Sequence, residues 1–144
     1  MVGKPERRVE GSDYDIIRRA LEASLQRAKA KSTKVWLHTV DMDCVMTMVY
    51  SRDTAYIVGG YLVVYDVLVP EYTTARFLEE VLVCRLSRGT SFDVVTSFLC
   101  RKAEEAGCVI VGVGTALAWN DDALASLYIK DGFSIEATSL VKVL

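Results

Sequence analysis

Between Ala55 and Leu86, three runs rich in β-branched and aromatic residues follow one another with very short connections. Ala55 to Val58 leads through Gly59 and Gly60 into Tyr61 to Val69. Pro70, Glu71 and Tyr72 break that run, and Phe77 to Leu86 begins the next. A parallel crossover needs a dozen or more residues, so strands joined this closely must pair antiparallel, as a meander. Two further strands are predicted upstream, Lys34 to Val40 and Cys44 to Tyr50, the second closed by a turn at Ser51, Arg52 and Asp53.

Helical periodicity frames this block. Tyr14, Ile17, Leu21, Leu25 and Ala28 recur at spacings of three and four, predicting a helix from about Asp13 to Ala30. Ser12 with Asp15 three residues on resembles a capping signal, and Lys29 and Lys31 suit the helix C-terminus. After the meander, Phe92, Val95, Phe98, Leu99 and Lys102 predict a helix over Ser91 to Ala106, stopped by Gly107. Cys108 to Val113 reads as a short strand. Asp121 to Lys130 reads as a helix with Leu124, Leu127 and Tyr128 inward, and Phe133 to Leu144 as a last hairpin or long bent strand. This order is that of one α+β, or mixed α/β, domain spanning residues 1–144, with a mostly antiparallel central sheet flanked by helices.

Composition removes several function classes. A formal net charge of -2 leaves no basic footprint for nucleic acid. Residues 1–10 lack the apolar core of a secretory signal, and no apolar run is long enough to span a bilayer, so a soluble, cytoplasmic protein without membrane contact is expected. Cys44, Cys84, Cys100 and Cys108 form no C-x-x-C pair and His38 is the only histidine, so no metal site and reduced, mostly buried thiols are expected.

Chemistry concentrates in two windows. From Glu79 to Asp93 a strand runs through a tight turn into a helix, where unpaired amides and the helix dipole favour phosphate. Gly89 lets a ligand approach the backbone, Arg88 adds charge, and Thr90 and Ser91 offer hydroxyls. In the second window, Ala123 to Phe133, a helix carrying a tyrosine ends at a glycine and enters the next segment through phenylalanine.

That second window resembles the closing motif of the GNAT superfamily of N-acetyltransferases, Leu-Tyr-x-Lys-x-Gly-Phe, matched without a gap by Leu127, Tyr128, Lys130, Gly132 and Phe133. The first is similar to the superfamily's acetyl-CoA loop, Val-x-x-x-x-Arg-Gly-x-Gly-x-Gly, with Val83, Arg88 and Gly89 in register. The resemblance covers Phe77 to Phe133. The superfamily's usual first strand, ahead of the first helix, has no counterpart in the pattern here. The arrangement also resembles short GNAT-like proteins of tailed bacteriophages.

The resemblance implies an acetyl-CoA-dependent enzyme that transfers acetyl directly to an amine. The backbone at Val83 and Cys84 would hold the pantetheine arm, near the end of the strand at Arg85. Amides and side chains from Arg88 through Gly89, Thr90 and Ser91 to Phe92 would take the pyrophosphate, with Asn120 beside the cosubstrate. Tyr128 would be the acid for the departing thiolate, and Glu79 or Glu80 the base. The alternation of a strand puts those two glutamates on opposite faces. His38 is a further candidate base, and Tyr50, Tyr56, Tyr61, Tyr65, Tyr72, Trp36 and Trp119 are candidates for an acceptor cleft.

One departure bears on the activity. Ser91 and Asp93 stand where the motif has its second and third glycines. At ~6 Å and an effective dielectric of about 20, a carboxylate beside a pyrophosphate costs roughly 3 kcal/mol before screening. The alternative function is therefore a catalytically inactive GNAT-fold protein that binds or assembles. The acceptor amine, whether small molecule or protein, is open, as is the oligomeric state, a homodimer included.

Overall fold

The computed structural model describes residues 6–114, 121–137 and 140–144. Its elements run β1 (Arg7–Arg8), α1 (Tyr14–Lys31), α2 (Met42–Tyr50), β2 (Ala55–Val58), β3 (Tyr61–Leu68), β4 (Phe77–Arg85), α3 (Asp93–Glu105), β5 (Ile110–Gly112) and α4 (Asp121–Lys130). Short 3-10 turns at Gly11–Asp13 and Val35–Thr39 flank α1. The strands among the described residues form one sheet in the order β1-β2-β3-β4-β5, antiparallel except for the parallel β4–β5 pair. The architecture is α+β, as expected from the meander and the change of period after it.

β3 explains the layering. Its Tyr61–Tyr65 stretch is buried on both faces. Leu62 and Val64 join Ile17, Leu21, Met46 and Val49 of α1 and α2, while Tyr61, Val63 and Tyr65 join Val95, Phe98, Leu99 and Ala103 of α3. A continuous apolar run is the mark of a strand covered on both sides. Fully burying a side chain such as Phe98 or Leu62 contributes about 2 kcal/mol, so the two helical layers hold the sheet from both faces.

Several expectations are corrected. Cys44 to Tyr50 is helical: Met42, Val45, Met46 and Val49 recur at spacings of three and four, and the Asp41 carboxylate caps the helix by accepting from Asp43 N (2.8 Å) and Cys44 N (3.3 Å). Lys34 to Val40 is no strand either, because Leu37 is its one fully buried side chain and a 3-10 turn suffices to place it. A first strand does precede α1. Arg7 and Arg8 pair with Ile57 and Tyr56, and Arg7 is fixed by a bidentate ion pair to Asp13 (2.9 and 2.8 Å). Two arginines carry no β pattern, which is why that strand is invisible in sequence.

Ser12 is not the cap of α1. It lies within the 3-10 turn, where Glu10 and Asp13 bond reciprocally. The cysteines are all free, but Cys44 and Cys100 face solvent; only Cys84 is buried. From Phe133 onward the described residues form no strand, and Ile135, Leu140, Val141 and Leu144 are exposed.

Candidate active site

β4 and β5 pair only from Phe77↔Ile110 to Glu79↔Gly112. On its other edge β4 carries an irregularity at the same level: Tyr65 pairs with Glu80 and Val64 with Leu82, which leaves Val81 without a partner on β3. An inserted residue bends a strand and re-aims the side chains beside it. Leu78 therefore faces α3, whereas Leu82 and Cys84, of the same parity, face α1 and α2. Glu80 sits at this change of register, beside the point where β4 and β5 stop pairing.

A cavity of about 560 Å³ opens there. One end is lined from α1 and α2 by Leu21, Leu25, Met42 and Val45; the other reaches Arg85, Arg88 and Phe92, with Glu80 to Cys84 along the wall between. Leu124 and Leu127 of α4 complete it. Over five residues of strand, the wall from Glu80 to Arg85 spans roughly 16 Å.

The two glutamates are separated in position. The Glu79 carboxylate packs over Gly112, where a Cβ would have no room, and Glu79 does not line the cavity. Glu80 does. Burial pushes its carboxyl up to about 7 from an ordinary 4.5, against hydrogen bonds from Gly114 N–H and the Tyr128 hydroxyl that favour the charged form. Tyr128 Oη donates to Glu80 Oε1 at 3.4 Å. The Tyr128 ring is held edge-on by Phe92 and Phe133 and is 2% exposed, outside the cavity wall. Burial first, and the Glu80 charge second, hold its phenol well above the ordinary tyrosine value.

Val83, Cys84, Arg85 and Arg88, named from the sequence as candidate cosubstrate contacts, line the cavity. Arg85 bonds the Tyr61 hydroxyl (Nη2, 2.9 Å) and lies over its ring. The Arg88 guanidinium has no hydrogen-bond or ion-pair partner among the described residues. Gly89 adopts φ +104, a conformation that favours glycine, in the turn before α3. Gly89, Thr90 and Ser91 are not part of the cavity wall. The Thr90 hydroxyl accepts from Gly60 N at 2.7 Å and so braces the loop on the β2–β3 turn. Asp93 is exposed in the first turn of α3, without a hydrogen bond or ion pair to its side chain among the described residues. Asn120 and Trp119 lie outside the described residues.

Of the tyrosines weighed for an acceptor cleft, Tyr61 alone lines the cavity. Tyr56 and Tyr65 pack against Phe98, Tyr50 donates to Glu10 O, and Tyr72 is 83% exposed. Trp36 does not line the cavity, and His38 is exposed on the 3-10 turn, also away from it. The α1 and α2 wall was missed in sequence, because α2 read as a strand. The Asp41 cap ahead of a three-and-four apolar spacing was the available signal.

The described residues contain no cluster of potential metal ligands and no helix long and apolar enough to cross a membrane. No family model matches the chain, and no curated protein matches it in sequence. Solved structures do match in shape. The Thermus thermophilus protein TTHA1254 aligns over 98% of this chain and 97% of its own, at 12% identity and a TM-score of 0.57. An aminoglycoside acetyltransferase from an uncultured soil metagenomic sample aligns over 96% and 97%, at 11% identity and 0.58. A transcriptional regulator from Bacillus halodurans aligns over 96% and 98%, at 13% identity and 0.52. These likenesses, at 11–13% identity, show a GNAT-like fold.

Proposed function

We propose that this chain is an acetyl-CoA-dependent N-acetyltransferase, acting in the cytoplasm as one domain. The observation that carries the reading is Glu80: a half-buried carboxyl in the wall of a cavity that continues to Arg85 and Arg88, its pKa pushed up to about 7 by desolvation. A general base is most effective when its pKa lies near the working pH. The residues present suit the cosubstrate. The cavity has apolar walls for a pantetheine arm and two arginines at one end for phosphates. Acetyl-CoA would supply the acetyl thioester.

In this arrangement Glu80 accepts one proton from the incoming ammonium and passes it to solvent. The amine nitrogen forms its bond to the acetyl carbon as the C–S bond breaks, and its second proton goes to the departing sulfur. Tyr128 acts through Glu80: its buried hydroxyl orients the carboxylate and favours its charged form. Calorimetric titration with acetyl-CoA tests the reading, micromolar binding supporting it and no binding overturning it.

A second reading, a GNAT-fold protein that binds or assembles without catalysis, is favoured by the exposed, unpaired Asp93 in the first turn of α3. Acetyl-CoA binding by the Asp93→Gly variant, compared with wild type, separates the two.

A further inference from the structure

Arg85 closes β4 at the end of the cavity that also holds Arg88, and its Cα partner across the sheet is Tyr61 of β3. Residues paired in this way share a face of the sheet, and here the two side chains meet. Arg85 Nε and Nη2 both donate to the Tyr61 hydroxyl, at 3.3 and 2.9 Å, and the guanidinium carbon lies 5.5 Å from the centre of the ring. Glu80 pairs with Tyr65, further along β3, so the Arg85–Tyr61 pair stands roughly 13 Å of strand away from that carboxylate.

The two members differ in freedom. Arg85 is exposed, and a long exposed side chain ordinarily samples many rotamers. The Tyr61 ring is 4% exposed, packed in the α3 core with Val95 and Leu99 and met edge-on by Phe92 at 5.8 Å. Its oxygen is therefore a fixed point, and among the described residues its hydrogen bonds are those from Arg85 alone. A guanidinium has more than one forked edge. Tyr61 takes the side-on edge, Nε with Nη2. That leaves the end-on edge, Nη1 with Nη2, a fork able to hold a phosphoryl group by two parallel bonds. Among the described residues no carboxylate pairs with Arg85, and Glu80 is the one carboxylate of the cavity wall.

We infer that Tyr61 is a positioning residue for the cosubstrate: it holds Arg85 with the end-on edge left for a phosphoryl group. The phosphate grip then comes from an ordered side chain as well as from the loop after Gly89, where Ser91 and Asp93 replace two glycines of the motif. This rests on the acetyl-CoA reading. An arginine ordered before the ligand arrives loses less freedom on binding. Tyr61 acts only through that arginine.

The test uses the full chain with Tyr61→Phe, Arg85→Gln and the double variant. Phenylalanine keeps the ring and its packing and removes only the hydroxyl. Calorimetry measures binding of acetyl-CoA and of S-acetylpantetheine, a probe without phosphates. Wild-type protein that fails to bind acetyl-CoA overturns the acetyl-CoA reading, and this inference with it. Where wild type binds, Tyr61→Phe should weaken acetyl-CoA about tenfold and leave S-acetylpantetheine unchanged. Arg85→Gln should weaken acetyl-CoA at least as much. In the Arg85→Gln background, Tyr61→Phe should cost nothing further, because its effect runs through the guanidinium. Equal losses for both ligands, or a full further loss in the double variant, would show a phenol that serves only structure and overturn the inference. Unchanged acetyl-CoA affinity in Tyr61→Phe does the same. So does unchanged affinity in Arg85→Gln, a change at an exposed side chain that decides the matter even where the Tyr61 variant does not fold.

Discussion

Tyr128 Oη stands 3.4 Å from Glu80 Oε1, joining the last helix to the strand where the sheet changes register. The carboxylate faces the cavity, whereas the phenol is sealed behind it by Phe92 and Phe133. In the proposed enzyme, Glu80 would meet the substrate and Tyr128 would orient it.

The elevated Glu80 pKa couples stability to pH. A carboxyl whose folded pKa, about 7, exceeds its unfolded value of 4.5 makes the native state bind the extra proton between those limits. Stability therefore falls as pH rises from 4.5 through 7, and the full cost stands above 7. Glu80→Gln keeps hydrogen-bonding capacity without the charge. It should raise stability at pH 8 by up to about 3 kcal/mol, with the gain gone below pH 4.5, while turnover is lost. Urea unfolding of both proteins at pH 8 and pH 4 checks this; a gain of equal size at both would refute the titration.

Tyr128→Phe removes a hydrogen bond that favours charged Glu80. The acidic limb of the kcat–pH profile should move up from about 7, and kcat at neutral pH should fall more than acetyl-CoA affinity. A profile that does not move, with kcat unchanged, would show that the phenol serves only packing.

Asp93→Gly should tighten acetyl-CoA binding less than an unscreened repulsion implies. The side chain is exposed, and exposed charge interactions are worth about 1 kcal/mol or less, so the expected gain is at most about fivefold. The gain should shrink as salt is raised from about 0.01 to about 0.15 M. A wild-type protein that does not bind, rescued by the mutation, favours the non-catalytic reading.

Gly60→Ala should destabilise the fold by about 2–3 kcal/mol, because its Cβ would stand 2.6 Å from the Ser87 carbonyl oxygen. In the same turn Gly60 N donates to Thr90 Oγ1 (2.7 Å), and Gly60 O accepts from Leu86 N and Ser87 N (2.7 and 3.1 Å). Acetyl-CoA affinity should fall together with stability; urea unfolding measures the one and calorimetry on the folded variant the other. Loss of stability with full affinity would separate this turn from the loop that follows β4.

The elements whose local pattern and tertiary role agree were legible in sequence. α1 and α3 follow their apolar spacing; α4 forms where expected with Tyr128 buried, but Leu127, expected inward, is 42% exposed; and β2 to β4 follow from continuous apolar runs with connections too short for anything but antiparallel pairing. The match from Leu127 to Phe133 with the superfamily's closing motif agrees with the GNAT-like fold. Tertiary structure overrode local preference at Cys44 to Tyr50, where β-branched and aromatic residues became a helix because Met46 and Val49 could then reach the same core as Ile17 and Leu21. Likewise, Arg7 and Arg8 became a strand because the β2 edge and the Asp13 carboxylate were there to receive them.

The resemblance left Glu79 and Glu80 as the candidate bases, and strand alternation puts one of two adjacent residues on each face. Which of them meets the cavity depends on the unpaired Val81 and on where β4 and β5 part. Both are relations between strands far apart in the chain, so they come into existence only when the sheet assembles. The pKa of Glu80 has the same origin. Its charge is desolvated by side chains from elements that share no local pattern with it, and burial of that kind is a property of the packed molecule.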